Sequence, residues 1–293
     1  MTHSTVKGTS SCSIRVVAAR YHRRVRLAPR LPAERLDRSA YELVVDERFA
    51  AAGLDAERWL PHYLPQWSTP ERSAARYSLG ADGLTLRIDH DQPAWSPEYD
   101  GELRVSNLQT GVRSGAIGSG AGQHPFRDGL VVRTPQPERR LWLPHHGLIE
   151  VRLRPCLHPR ALTALWLIGF EHVPEQSGEL CIVELFGRDL GADGSGLVGL
   201  GVHPFGDPHL RDDFTQVAIS GDARDWRTYS VEWMPGAARF FVDDELVAET
   251  DQAPDYPMQL MLNLYELPDG TPRERADYPL EAGVKWVREW RRR

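Results

Sequence analysis

Cysteine is scarce in this chain. Cys12, Cys156 and Cys181 are the only three among 293 residues, which excludes a disulfide framework and leaves no paired-cysteine metal site. Long apolar runs are missing too. The longest, Ala161 to Phe170, is too short to span a bilayer. Val16-Val17-Ala18-Ala19 is cut off by Arg20 before it reaches the length of a secretory core, which also makes Arg23-Arg24 a poor twin-arginine signal. As written, the chain reads as a cytoplasmic protein in a reduced compartment, or one indifferent to redox state. A start codon elsewhere would change that reading to a secreted one. No internal repeat and no long helical period is present. Neither His145-His146 nor His203 has metal-ligand spacing, and there is no His-Glu-x-x-His. Gly194-Ser195-Gly196-Leu197-Val198-Gly199 has the letters of a dinucleotide fingerprint but no helix to follow it, and Gly118 to Gly122 lacks the Lys-Ser/Thr ending of a phosphate loop.

Charge is present but unevenly placed. Residues 1–40 hold nine Lys/Arg against Glu34 and Asp37, a net of +7 that leaves −13 for the rest of a chain whose total is −6. The expected organisation is a basic, disordered extension over 1–40 and one folded domain over 41–293. The body shows no bias toward nucleic acid or membrane. From Tyr41 onward, short β-branched and aromatic segments alternate with Gly, Pro, Asp and Asn. Strands are expected at Tyr41 to Val45, Leu84 to Ile88, Gly147 to Leu153, Leu162 to Ile168, Leu180 to Leu185, Thr228 to Trp233, Arg239 to Val242 and Met258 to Leu264, with a closing strand at Val284 to Trp290. Ala237 to Ala248 reads as a hairpin with Asp243-Asp244 at its turn. Regular strands without helices over this length suggest an all-β sandwich. The loops between Gln92 and Asp100 and between Val112 and Asp128 have the length and composition of loops that serve a site.

The segment Gly178-Glu179-Leu180-Cys181-Ile182-Val183-Glu184-Leu185-Phe186-Gly187 carries two acids inside a buried-strand pattern. Strict alternation puts Glu179 and Glu184 on opposite faces. One bulged residue between them restores a common face, about 13 Å apart at Cα. Leaning side chains would then bring the carboxyls to about 5 to 6 Å, the separation of nucleophile and acid/base in a retaining glycosidase. The competing explanation is an edge strand bearing two solubilising charges.

This segment resembles the active-site strand of glycoside hydrolase family 16, Glu-x-Asp-x-x-Glu, here Glu179-Leu180-Cys181-Ile182-Val183-Glu184 flanked by Gly178 and Gly187. Five further segments resemble the family in order: His146 to Arg152, Ala164-Leu165-Trp166-Leu167, Gly201-Val202-His203, Trp226 to Pro235 with Phe241 to Asp244, and Pro257 to Leu264. The resemblance spans roughly residues 41 to 290. It implies a concanavalin A-like β-jelly-roll sandwich of two antiparallel sheets. It further implies a retaining, endo-acting hydrolase of β-glucan-type polysaccharide with Glu179 as nucleophile and Glu184 as acid/base. No cofactor is implied beyond room for a structural calcium, and the expected partner is a polysaccharide or oligosaccharide met by a monomer.

One position departs from the pattern: the family's aspartate is Cys181 here. A thiol of ordinary pKa about 8.5 between two carboxylates stays neutral, so a negative charge is lost. The alternative function is therefore a carbohydrate-binding protein on the same fold with reduced or lost catalysis. By resemblance or by loop position, Trp166, Trp142 and Trp95 are candidates to stack on sugar, with His203, Asn263, Tyr265 and Glu266 as further substrate contacts. Trp226 and Trp233 are expected in the core.

Overall fold

The computed structural model describes residues 34–50 and 52–293. In chain order the strands are β1 (Tyr41–Glu47), β2 (Arg76–Gly80), β3 (Gly83–Ile88), β4 (Arg104–Gln109), β5 (Gly111–Val112) and β6 (Arg139–Arg140). They continue with β7 (Gly147–Arg154), β8 (Ala161–Gly169), β9 (Glu179–Phe186), β10 (Leu197–His203) and β11 (Asp213–Ala218). The last are β12 (Arg227–Met234), β13 (Ala237–Val242), β14 (Glu245–Thr250), β15 (Met258–Glu266) and β16 (Leu280–Arg292). α-Helix is limited, among the described residues, to the single turns Pro70–Ser73 and Pro97–Asp100. Among the described residues, no helix is long and apolar enough to cross a membrane.

Two antiparallel sheets form the sandwich. One runs β14-β13-β12-β7-β16-β3-β2 with β1 added on β16, and the other runs β11-β10-β9-β8-β15-β4. Alternating residues explain the packing: Leu165 and Leu167 of β8, Leu260, Leu262 and Leu264 of β15, and Ile149, Val151 and Leu153 of β7 meet in one inter-sheet cluster. Each side chain of that size, once fully buried, contributes roughly 1.5–3 kcal/mol. The residues between them on the six-stranded sheet, Leu162, Ala164, Trp166 and Ile168, face the other way. They pack under Tyr63, Leu64, Trp67, Trp95, Leu130 and Val132, so the loops before β2 and around β4 cover part of that outer face.

The all-β jelly-roll sandwich expected from the sequence is the fold observed. The hairpin joins β13 to β14 with Val242 opposite Glu245, and its turn places both Asp243 (φ 47°) and Asp244 (φ 70°) in the left-handed region required of a two-residue hairpin loop. Of the extension expected over 1–40, residues 1–33 lie outside the described residues. Within 34–40, Leu36 is buried and Arg38 ion-pairs with buried Glu150 and with Asp244. Trp233 is in the core as expected. Trp226 is not: it is half-buried, with Arg154 and Lys285 over its ring. Cationic stems cover its surface where apolar neighbours were expected.

Candidate active site

β9 is an interior strand, paired with β8 on one side and β10 on the other, and every residue in it is buried. That removes the edge-strand explanation of its two acids. Along β8 the register runs Leu165 opposite Val183 and then Trp166 opposite Cys181, so Ile182 is the additional residue of a bulge. β10 agrees, with Gly199 opposite Glu184 and Gly201 opposite Cys181. Ile182 and Val183 both enter the inter-sheet core beside Leu180 and Leu185, while Cys181 and Phe186 belong to the outer-face cluster. The bulge thus absorbs the parity difference and leaves Glu179, Cys181 and Glu184 together on the outer face.

The Cys181 Sγ lies 3.0 Å from Glu179 Oε1 and 3.9 Å from Glu184 Oε1. Those two oxygens cannot be more than about 7 Å apart, a range that includes the roughly 5–5.5 Å of a retaining carboxylate pair. Exposure is 6% for Glu179 and 7% for Glu184. The cross-strand neighbours of Glu184 are Ala164 and Gly199, both small. A Cβ on Gly199 would come within 2.5 Å of the Phe214 ring and 3.3 Å of Glu184 Cβ, so glycine there leaves room for the carboxylate. Gly178 has a similar reason: its N–H donates to the Tyr256 hydroxyl at 2.7 Å, and a Cβ would meet that hydroxyl at 2.5 Å.

Burial, followed by the charges of Glu179 and Glu184, drives the Cys181 thiol far above the usual thiol range. The sulfur is therefore a neutral S–H that donates to Glu179. It can supply one weak hydrogen bond and no charge.

His203 ends β10 opposite Glu179. A ring nitrogen, the Cys181 sulfur and a Glu179 oxygen all fall within 4.8 Å of one another. Its Nδ1 is 2.8 Å from Asp212 Oδ1, and its ring stacks on Phe214 at 4.8 Å. Trp166, opposite Cys181, donates Nε1–H to Asn263 Oδ1 at 2.5 Å, and Asn263 Nδ2 donates in turn to Asn107 Oδ1 at 2.7 Å. Asn263 is wholly buried, so it aims Trp166 and does not meet solvent. Tyr265 lies on the same face, 5% exposed and edge-on to Tyr63 at 5.5 Å.

Besides Asn263, three expected contacts are not brought to this face as usable surface. Trp95 is fully buried, donates to the Tyr63 carbonyl at 2.8 Å and packs on Tyr63 and Phe126, beneath the loop expected to present it. Trp142 packs edge-on to Trp59 in the inter-sheet core, with its N–H on Glu289. Glu266 follows Tyr265 and so, by strand alternation, points to the opposite side. There it is 2% exposed and held by Arg160, Arg273 and the Tyr278 hydroxyl.

Residues not foreseen complete the surroundings. His124 packs on Trp166 at 5.4 Å and on Phe205 at 4.7 Å. Its backbone N–H donates at 2.7 Å to Glu171, whose carboxyl burial pushes up to about 8. His124 and Phe126 lie in the 112–128 loop whose length and composition marked it for a site, but loop composition does not single out individual side chains. Asp212, Phe205 and Phe214 sit in segments with no such signal.

The bulged strand with its two acids sits in a jelly-roll sandwich of the kind found in β-sandwich glycoside hydrolases. Residues 143–286 match the family model described as glycosyl hydrolases family 16. In sequence over that segment, and in fold over nearly the whole chain, the resemblance to family 16 holds. Among solved structures the chain is similar to the GlcNAcα1-4Gal-releasing endo-β-galactosidase from Clostridium perfringens, with 25% identity and a TM-score of 0.73 over 89% of this chain and 65% of that one. The chain therefore spans just under two thirds of that protein. Two further likenesses bear on the fold alone. One is a laminarinase from Rhodothermus marinus, with 21% identity, a TM-score of 0.60, and 86% and 98% of the two chains covered. The other is SCLam, a non-specific endo-β-1,3(4)-glucanase from family GH16, with 18% identity, a TM-score of 0.63, and 89% and 95% covered. No curated protein matches.

Proposed function

We propose that this protein is a retaining, endo-acting glycoside hydrolase that cleaves a β-linked polysaccharide of the β-glucan type. The observation that carries the reading is the placement of Glu179 and Glu184 on one face of an interior bulged strand, both within reach of the same sulfur. Glu179 attacks the anomeric carbon while Glu184 protonates the departing glycosidic oxygen. Glu184 then takes a proton from the water that cleaves the glycosyl-enzyme ester. The S–H of Cys181 donates to Glu179 and favours its anionic form, as a nucleophile requires. Trp166, held by Asn263, offers an aromatic surface beside the pair, and His203 with Asp212 lines the Glu179 end.

Two observations shape alternatives. The endo-β-galactosidase likeness favours a β-galactoside as the bond cleaved, so galactans belong in the substrate panel. Cys181 in place of an acid favours a second function, a carbohydrate-binding protein on which the chemistry has lapsed. Reducing-sugar release from β-1,3-, mixed β-1,3/1,4- and β-1,3/1,6-glucans, galactans and xyloglucan separates these functions. Hydrolysis abolished by Glu179→Gln or Glu184→Gln supports the enzyme. A sugar-dependent tryptophan fluorescence change that survives both substitutions, without release, supports the binding protein.

A further inference from the structure

Apart from the carboxylate strand, two histidines and an aspartate converge where the chain enters β7 and where it approaches β15. We propose that His145, His146 and Asp255 form a binding site for a divalent transition-metal ion of the Zn²⁺ type.

Distances carry the first part of the case. The Nε2 atoms of His145 and His146 lie 3.0 and 3.2 Å from the same oxygen, Asp255 Oδ1, and the ligand atoms of all three residues lie within 4.8 Å of one another. Around a tetrahedral ion with bonds of about 2.0–2.2 Å, neighbouring donor atoms sit roughly 3.3–3.5 Å apart. An opening of a few tenths of an ångström would admit the ion.

The second part is a polar atom without a hydrogen bond. His145 makes a hydrogen bond of normal geometry to Asp255, but His146 Nε2 is sealed from solvent and makes none, although the same oxygen is 3.2 Å away. A nitrogen so close to a carboxylate, yet making no hydrogen bond to it, is free in its Nδ1–H tautomer to give its lone pair to an ion. Two donors that share a metal stand in that relation.

The backbone explains how adjacent residues serve one ion. Neighbours on an extended strand point to opposite faces. His146 instead adopts a left-handed conformation, φ 64°, and the two imidazoles lie 4.3 Å apart. The ligand-bearing segments are fastened to each other: Met258 N–H donates to the Pro144 carbonyl at 3.1 Å, and Trp233 Nε1–H donates to the Pro254 carbonyl at 2.8 Å, with the Trp233 ring edge-on to His146. A His₂Asp donor set suits Zn²⁺, Ni²⁺ or Cu²⁺ and not Ca²⁺ or Mg²⁺, which take oxygen ligands. His145 and Asp255 are exposed, which leaves a coordination position for water. Sequence spacing could not show this site, because Asp255 lies 110 residues beyond His145. Asp255 also precedes Tyr256, whose hydroxyl holds Gly178 beside Glu179, so a bound ion would brace that support.

Calorimetric titration of the chelator-stripped full chain with ZnCl₂ tests the proposal, with thermal melting alongside. The expected result is one Zn²⁺ bound per chain, a raised melting temperature, and affinity at least tenfold weaker in His145→Ala, His146→Asn and Asp255→Asn. Asparagine at 146 tolerates the left-handed backbone, and melting each variant in chelator checks its fold. Cys181→Ser should leave Zn²⁺ affinity unchanged, and excess Ca²⁺ should not displace Zn²⁺ from the site. The proposal is overturned if the wild type binds no more tightly than Asp255→Asn. It is equally overturned if Ca²⁺ matches Zn²⁺, or if Cys181→Ser abolishes binding, which would assign the metal to Glu179, Cys181 and His203.

Discussion

Cys181 donates its S–H to Glu179 across 3.0 Å, at the position that is an aspartate in the motif this strand resembles. On the proposed assignment, a neutral donor beside Glu179 supports the charge a nucleophile needs but does nothing to keep a proton on Glu184. An acid at 181 would do the reverse. Cys181→Asp is therefore expected to raise the Glu184 pKa by like-charge repulsion and to move the pH optimum of hydrolysis upward. The added buried charge should lower stability by about 1–3 kcal/mol. The pH profile of kcat/KM for both forms checks this, and an unchanged optimum would show that the residue at 181 does not tune the pair.

Glu179→Gln and Glu184→Gln should each reduce hydrolysis on the order of 10²–10⁴-fold or more while leaving the circular dichroism spectrum intact. With an aryl glycoside whose leaving group departs unprotonated, azide should restore turnover to the acid/base variant with a glycosyl azide of retained configuration, by opening the glycosyl-enzyme in place of water. Rescue of Glu179→Gln in place of Glu184→Gln would reverse the two assignments.

The thiol should be chemically silent in the native protein. Burial raises Cys156, and burial with two carboxylates raises Cys181, so neither is a thiolate at pH 8. Ellman's reagent followed by peptide mapping is expected to modify neither until denaturant is added. Rapid native labelling at Cys181 would mean that the outer face opens.

Glu171 gives stability a pH slope. Its folded pKa of about 8 lies above the ordinary glutamate value, so between roughly pH 4.3 and 8 the native state keeps a proton that the unfolded chain has released. The stabilisation is complete below that window and is lost as pH rises through it. Urea midpoints should fall from pH 5 to pH 8.5 in the wild type and change less in Glu171→Gln, a difference on the order of a few kcal/mol. Equal slopes would place the Glu171 proton elsewhere.

On the proposed function, Asn263 bears on sugar only through Trp166, whose indole N–H it accepts. Asn263→Ala removes the acceptor for the indole N–H and the donor to Asn107, and should cost about 1–3 kcal/mol of stability. It should also weaken sugar-dependent tryptophan quenching more than it lowers the single-turnover rate. Unaltered quenching would show that Trp166 needs no such support.

Where burial and alternation agree, the sequence was sufficient: β8, β9 and β12 extend the expected segments by one residue at each end, and β15 extends its segment by two residues at the C-terminal end. β4 and β11 were missed because their polar residues hide the pattern. Ser106, Asn107 and Gln109 of β4 are fully buried and satisfied by the backbone carbonyls of Arg87 in β3, His62 in a loop and Gly111 in β5, which sequence periodicity cannot see. In the site, parity alone demanded a bulge between Glu179 and Glu184, and it lies at Ile182. Trp95, Trp142 and Glu266 were misplaced for one shared reason. Which face of a sheet or loop turns toward the site depends on partners such as Tyr63, Glu289 and Arg160, far away in the chain.

The bulge also decides which changes of length this strand could survive. Loss of either Ile182 or Val183 would leave an even spacing between the acids, so ordinary pleating would still present both to the outer face, at the loss of one apolar side chain from the core. One inserted residue would also make the spacing even, but regular pleating would then set the acids about 20 Å apart at Cα, too far to share one glycosidic bond. Only a wider bulge that absorbed both extra residues would hold them at their present separation. Length variation here is thus asymmetric: the chain can shorten by one without disarming the pair, and cannot lengthen by one so easily.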